Sequence, residues 1–360
     1  MSLSAAPDPA SEAASEAASE AASGAAGLAA RLPAYALAVL ALLGLDFALP
    51  LLMPGDAVTA FLGQDAMTEL SDGQRRQMLQ ELGLGQPLWR QGLAWLGQLA
   101  RLDLGYSPRH GMPVAALLAQ HLPWTLLLTG CALALSLAAG MLLGLEAAFF
   151  QPLPSHPSPQ STSSRWLDRA LTAAMLALQS LPAFAVAMGL ALLFAHGLPW
   201  FPASGAAAPF SQATGLQAVL ERAHHLALPV AALALPAAAR LFLITRAAAV
   251  ALRGAPFMEM ALAKGASPLA LRWRHLAPNV WAVALARLGG MGARLMAGGI
   301  YVETVFAYPG INLLLTDAIA RHDYPLVRGV LLASGLLALA LNLAADALAA
   351  RYARRTQRLA

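Results

Sequence analysis

Six apolar stretches, each close to the length of a membrane crossing, recur along this chain and constrain its fold more than any other feature. They fall at about Pro33 to Met53, Trp124 to Phe150, Ala170 to His196, Leu226 to Leu252, Val280 to Val302 and Leu326 to Ala350. A membrane-crossing helix needs about 20 mainly apolar residues. Apolar residues make up 58% of the 360 and charged ones only 12%, far more apolar surface than one soluble core can hide. A soluble globular protein is excluded. The expected fold is an all-α integral membrane protein with about six transmembrane helices.

The segments expected along the chain are a low-complexity tail over 1–30, a first transmembrane helix over 31–53 and an extracytoplasmic loop region over 54–121. A core of five transmembrane helices over 122–350 and a basic tail over 351–360 follow. The first tail repeats Ser-Glu-Ala-Ala and carries four acids before Arg31, which suits a disordered or weakly helical leader. A cleavable signal would begin with positive charge and a short apolar stretch, so the first helix is expected to be retained.

The formal net charge is +4, but the basic residues are scattered through short loops rather than gathered on one face, which argues against nucleic acid. They act as topology signals. With both termini cytoplasmic, the inner segments hold Arg31, then Arg165 and Arg169, then Arg253, Lys264, Arg272 and Arg274, then Arg351, Arg354, Arg355 and Arg358. The short outer loops near His196 to Arg222 and Glu303 to Pro325 offer only Arg222 and Arg321, the asymmetry that the positive-inside rule demands.

Within the long outer region, Trp89, Leu93, Leu96 and Ala100 recur at helical spacing, describing an amphipathic helix against the membrane face or another subunit. Gln151 to Ser164, rich in Pro, Ser and Gln, reads as a flexible connector. Cys131 is the sole cysteine, so an intrachain disulfide is impossible, and its apolar setting points to packing.

Between the fourth and fifth spans, Pro256 to Gly265 reads as a short helix with proline in its first turn and glycine just past its end. Glu259 near its start and Lys264 at its end both suit the helix dipole. Ser267 and Pro268 mark a second helix, expected to run through Trp273 and His275 and to finish before Pro278.

The order Glu259, Ala261, Gly265 resembles the EAA loop of ATP-binding-cassette importer permeases, with Met260 in place of the first alanine. The resemblance extends to the dipeptide and oligopeptide (and nickel) branch, specifically the first of its two membrane subunits. It is carried by Met53-Pro54-Gly55-Asp56, by Leu82-Gly83-Leu84-Gly85-Gln86-Pro87-Leu88, by Leu102-Asp103-Leu104-Gly105-Tyr106-Ser107 and by Leu122-Pro123-Trp124. Ala263-Lys264-Gly265, Arg274-His275 and Asn279 match its cytoplasmic loop. The most specific block is Val302-Glu303-Thr304-Val305-Phe306-Ala307-Tyr308-Pro309-Gly310, continued by Asp317-Ala318 and by His322-Asp323-Tyr324-Pro325. Departures are Asn312 for a usual glycine, Pro278 for a usual basic residue, and Val283 in a region that often holds proline.

The resemblance implies a bacterial inner-membrane permease subunit that pairs with a second homologous permease, two ATP-binding-cassette ATPase subunits and a periplasmic solute-binding protein. It implies that Glu259, Ala261, Lys264, Gly265, Arg274 and His275 form the loop that docks on the ATPase. Peptides are the implied cargo, with nickel chelates, glutathione or antimicrobial peptides as alternatives moved by the same mechanism. No cofactor is expected on this chain, ATP being used by its partners. Lys264, the only lysine, is followed by Gly265 and Ala266, so no phosphate-binding loop ending in Lys-Ser or Lys-Thr exists. No serine-hydrolase or zinc-protease motif appears either.

An ionisable residue deep in a span costs about 2.5–3.5 kcal/mol on insertion scales and usually faces protein or water. Arg287 and Arg294 lie two helical turns apart on one face of the fifth span and are candidates, with Glu303, for a translocation path. Arg287 can also be a topology anchor that snorkels. Asp46 and Glu303 are the candidate counter-charges. Gly289, Gly290, Gly292, Gly298 and Gly299 on the same helix favour close packing. His224 and His225 lack a nearby third ligand and read as interfacial polar residues. The rival reading, an ion-coupled secondary transporter, predicts inverted repeats, and none is evident.

Overall fold

A computed structural model describes residues 31–49, 73, 86–149, 162–285 and 288–357. The expected tail over 1–30, the Met53-Pro54-Gly55-Asp56 and Leu82 to Gly85 motifs, most of the Gln151 to Ser164 connector and Arg287 lie outside the described residues.

The elements are α1 (Arg31–Leu49), α2 (Leu88–Ala100), a two-residue ribbon of β1 (Tyr106–Ser107) and β2 (Met112–Pro113), and α3 (Val114–Ala148). Then come α4 (Thr162–Ser180), α5 (Ala183–Leu190) with a π-helical turn over Ala191–Gly197, and α6 (Gly215–Arg253). The chain continues with α7 (Pro256–Ala263), α8 (Pro268–Ala270) with a π-helical turn over Leu271–Leu276, α9 (Ala277–Leu285), α10 (Leu288–Val305), α11 (Ile311–Ala320) and α12 (Tyr324–Gln357). Among the described residues the fold is all-α apart from the antiparallel ribbon, which pairs Tyr106 with Pro113 and Ser107 with Met112.

Among the described residues, α1, α3, α6 and the Tyr324–Leu348 part of α12 are long and apolar enough to cross a membrane. The expected third span is broken instead of straight, with α4 and α5 meeting at 104°. Pro182 is the cause: it has no N–H to continue the ladder, and its ring pushes Leu181 out of the helical region. The expected fifth span falls on α9 and α10. The second span starts at Val114, upstream of the apolar window, and absorbs Pro123 inside the helix. At 1.5 Å per residue, α3 and α6 are about 52 and 58 Å long, so both project beyond a hydrocarbon layer about 30 Å thick.

The most extensive helix pair is α3 with α6, and two glycines one turn apart make it possible. A Cβ on Gly140 would lie 2.7 Å from Leu241 Cβ, and one on Gly144 would lie 2.7 Å from the Phe242 carbonyl oxygen. The Ser136 hydroxyl donates to Ala132 O on its own helix and lies 3.2 Å from Ala234 O across the seam. Around this pair the core of the described residues divides into three clusters. Leu128, Leu233, Leu295 and Tyr308 join α3, α6 and α10, with Cys131 packed against them. Val114, Met296, Ile311 and Leu326 join α3, α10, α11 and α12. Leu145, Ala249, Met258 and Leu276 seal the end that carries α7.

Helix α1 lies on the outside of α12 and is held at three levels. Arg31 pairs with Asp346 at 2.8 Å and the Tyr35 hydroxyl donates to the same carboxylate. Leu42 fills the space over Gly335, and Asp46 meets Arg328 at 3.5 Å. Helix α2 packs Trp95 against Phe47 and under Arg328. The expected amphipathic stripe, Trp89, Leu93 and Leu96, is left exposed.

Candidate coupling loop and membrane polar site

The connection between α6 and α9 is built on two caps. Pro256 occupies the first turn of α7, where a missing N–H has no consequence. At its other end Gly265 N–H donates to Leu262 O at 2.9 Å and Ala266 N–H to Ala261 O at 3.1 Å, the double bond pattern of a Schellman cap. That geometry places Gly265 at φ +78°, a region L side chains enter at a cost of about 1–2 kcal/mol. A Cβ there would touch nothing within 4 Å, so the glycine is required by conformation and not by space. Ser267 then caps α8 by accepting from Ala270 N–H at 3.3 Å.

The second helix does not finish before Pro278. It widens into the π-helical turn Leu271–Leu276 and continues as α9. The missing donor of Pro278 therefore falls where the hydrogen-bond register has already shifted. Asn279 donates to His275 O at 2.9 Å across the same junction.

Two arginines fasten this loop to α3. Arg272 Nη1 donates to Glu146 at 2.7 Å, Arg253 donates to Ala148 O, and both guanidiniums lie over the Phe149 ring at 4.4 and 4.5 Å. A second tie, Arg246 to Asp168, is bidentate, with contacts of 2.9 and 2.6 Å, and joins α6 to α4. The loop's inner face is buried through Met258 and Ala261, whereas Met260, Leu262 and Leu269 are exposed. Glu259, Lys264, Gly265 and Arg274 are exposed and His275 is half-buried.

At the opposite end of the bundle Glu303 is fully buried and caps α11. Its carboxylate accepts from Asn312 N–H at 2.8 Å and Leu313 N–H at 3.1 Å, and from the Thr125 hydroxyl at 2.7 Å and the Asn312 side-chain amide at 3.0 Å. Thr125 in turn accepts from Ile311 N–H at 2.9 Å. Negative charge at a helix N-terminus facing free N–H groups is favourable. Asn312, a departure from the usual glycine, thus supplies one of the donors that hold the carboxylate. Helix α11 was not expected, because Gly310 at its N-cap has no side chain and the capping groups come from α3 and α10.

The ribbon is tied to α12 in a similar way. Ser107, fully buried, donates to Asp323, and Asp323 caps α12 at Leu326 N–H. His224 and His225 donate to loop carbonyls, at 2.9 Å to Trp200 and 3.1 Å to Ser204.

Arg294 faces neither expected counter-charge: Asp46 is with Arg328 and Glu303 is under α11. It lines a cavity of about 160 Å³ together with Gln179, Leu233, Arg240 and Met291, immediately beside the break between α4 and α5. Among the described residues neither Arg240 nor Arg294 is held in an ion pair. Arg240 escaped the sequence reading although it carries the same signal as Arg294, an arginine within an apolar window. Gly290 leaves room for Arg294 to lie back along its helix, 3.3 Å from where a Cβ would stand.

These features define a multi-pass membrane component that offers a braced, partly apolar helix pair at one end and, beside the broken span, a mainly apolar cavity into which two arginines and a glutamine are set. Residues 140–358 match the family model described as the inner membrane component of binding-protein-dependent transport systems. The chain is 33% identical over 312 residues to a probable peptide ABC transporter permease of Sinorhizobium fredii, covering 86% of this chain and 92% of that one. It is 31% identical over 304 residues to a putative peptide transport permease of Brucella abortus, covering 84% and 90%. It is also 30% identical over 297 residues to the glutathione transport system permease GsiC of Escherichia coli, covering 82% and 87%. The chain belongs to the family of inner-membrane components of binding-protein-dependent transport systems. It is a permease component of an ATP-binding-cassette importer, working with separate ATPase subunits and a solute-binding protein.

Proposed function

We propose that this chain is the first of two homologous permease subunits of a peptide importer in the bacterial inner membrane, with both termini cytoplasmic. The complex has two ATPase subunits, a second permease and a periplasmic binding protein, and ATP is bound by the ATPases alone. Peptide cargo is supported by the relatives named as peptide permeases, and glutathione is the alternative that GsiC favours.

The observation that carries this reading is the two-faced character of α7. Met258 and Ala261 anchor it to the bundle, while its Met260 and Leu262 are exposed along with Glu259 and Lys264, as is Leu269 on α8. An apolar surface of this kind at the end of a braced loop suits docking into another subunit. ATP-driven closure of the ATPase pair would carry α7, and the Glu146–Arg272 and Arg246–Asp168 ties would pass the displacement to α3, α4 and α6. Gly265 fixes the turn that presents α7, and Arg274 and His275 belong to the same docking face. Arg287 and Arg294 are assigned to the path, with Glu303 acting on it only through α11, whose N-terminus its buried carboxylate caps.

The test is affinity purification of the tagged chain in mild detergent, comparing wild type with Gly265→Val by mass spectrometry. Wild type retains an ATPase and a second permease, and the variant loses the ATPase. A wild-type chain that purifies alone, under conditions preserving other membrane complexes, would support an ion-coupled secondary transporter instead.

A further inference from the structure

We propose that Arg240, Arg294 and Gln179 form a carboxylate-recognising subsite within the membrane, holding the C-terminal carboxylate of a peptide in transit. This rests on the peptide-permease reading above. Three side chains from three helices, α6, α10 and α4, converge on one cavity. Two bear permanent charge and line the same cavity. Both arginines are exposed at the open side of the cavity, where an anion can reach them and be shared by the two like charges. Among the described residues no carboxylate does so. The planar guanidinium is the side chain best matched to the two oxygens of a carboxylate, and the Gln179 amide adds one more donor.

The remaining wall is apolar, including Leu233, Ile244 and Met291, and so suits the body of a short peptide. The broken backbone at Leu181-Pro182 borders the cavity. Irregular backbone at membrane depth is tolerated where it is buried in protein or lines a water-filled space, which marks this flank as facing the interior of the complex. Arg240 lies about 20 Å from the α7 end of α6 and nearly 40 Å from its other end at 1.5 Å per residue. A lipid phosphate offers the same anionic chemistry, and the acid-to-amide ratio below separates the two sources, because a bound lipid would not distinguish a peptide acid from its amide.

The experiment reconstitutes the whole transporter with its binding protein in phosphatidylcholine vesicles, which contain no net-anionic lipid. ATP-dependent uptake is measured for di-, tri- and penta-alanine and for their C-terminal amides. The readout is the acid-to-amide uptake ratio of each variant divided by that of wild type, so that selection by the binding protein cancels. Arg240→Gln and Arg294→Gln are expected to lower this ratio at least tenfold, and Arg240→Lys and Arg294→Lys to restore part of it. Co-purification of the partners checks assembly, and where a glutamine variant fails to assemble the lysine variant is read by the same ratio, with a smaller fall expected.

An unchanged ratio, with acids imported normally or with acids and amides lost equally, overturns the subsite while leaving the peptide reading intact. Equal loss would mean that the arginines pair with protein. If the wild-type complex imports none of the six compounds with ATP, the peptide reading falls and this proposal falls with it.

Discussion

Ala307 closes α10 in a backbone conformation that usually belongs to glycine. Its φ is +44°, and Tyr308 N–H to Glu303 O at 2.8 Å with Ala307 N–H to Thr304 O at 3.2 Å completes a Schellman cap. Ala307→Gly is therefore expected to stabilise the protein by about 0.5–1 kcal/mol, the left-handed penalty less the added freedom of the unfolded chain. Thermal unfolding of the purified complex checks it. The opposite sign is expected at Glu303. Glu303→Ala leaves backbone N–H groups of α11 buried without an acceptor, a loss of about 1–3 kcal/mol, seen as a lower melting temperature. Gly310→Ala should behave alike, since a Cβ at that position would overlap the Glu303 carboxylate.

Among the elements, α3 and α6 meet across a seam that tolerates no added atom at Gly140 or Gly144. Gly144→Val would drive carbon into the Phe242 carbonyl and the Thr245 side chain at under 3 Å. Overpacking of this kind costs about 1–3 kcal/mol in ordinary cores, and here the obstacle includes backbone. The expected result is loss of the folded peak in size-exclusion chromatography, with Gly130→Ala, which meets nothing within 4 Å, unaffected. A gentler effect is expected at the loop brace. Glu146 and Arg272 are 2.7 Å apart but remain partly exposed, so a double-mutant cycle should return only about 0.2–1 kcal/mol of coupling in stability. If the brace transmits motion, the Glu146→Ala variant will hydrolyse ATP in the reconstituted complex with reduced uptake per ATP.

How legible these elements were depends on where each one's signals reside. Pro256, Gly265 and Ser267 are local, and each marks a helix boundary that the fold contains. The ends of α2, α10 and α11 are closed by Leu102, Ala307 and His322 at φ of +60°, +44° and +58°, residues that give no cap signal in sequence. The break at Pro182 was visible as a residue but hidden by a hydropathy window that averages over it. The cavity needed three helices from distant parts of the chain, and only Arg294 stood out without them.

At the scale of the molecule, the two ends of the bundle are held together by different means. The α7 end is fastened by arginine contacts to α3 and α4, whereas the α11 end is fastened by caps exchanged between helices. That exchange carries a consequence for how the protein is made. The first three amides of α11 are satisfied by Thr125 and Glu303, and Thr125 precedes Glu303 by 178 residues. Synthesis must deliver both helices to the membrane, and bring them side by side, before those amides find acceptors. Helix α11 thus cannot take shape before α3 and α10 lie side by side, and the exposed Arg321 at its end becomes a protease-readable clock: tryptic cleavage there should be rapid before that meeting and slow after it.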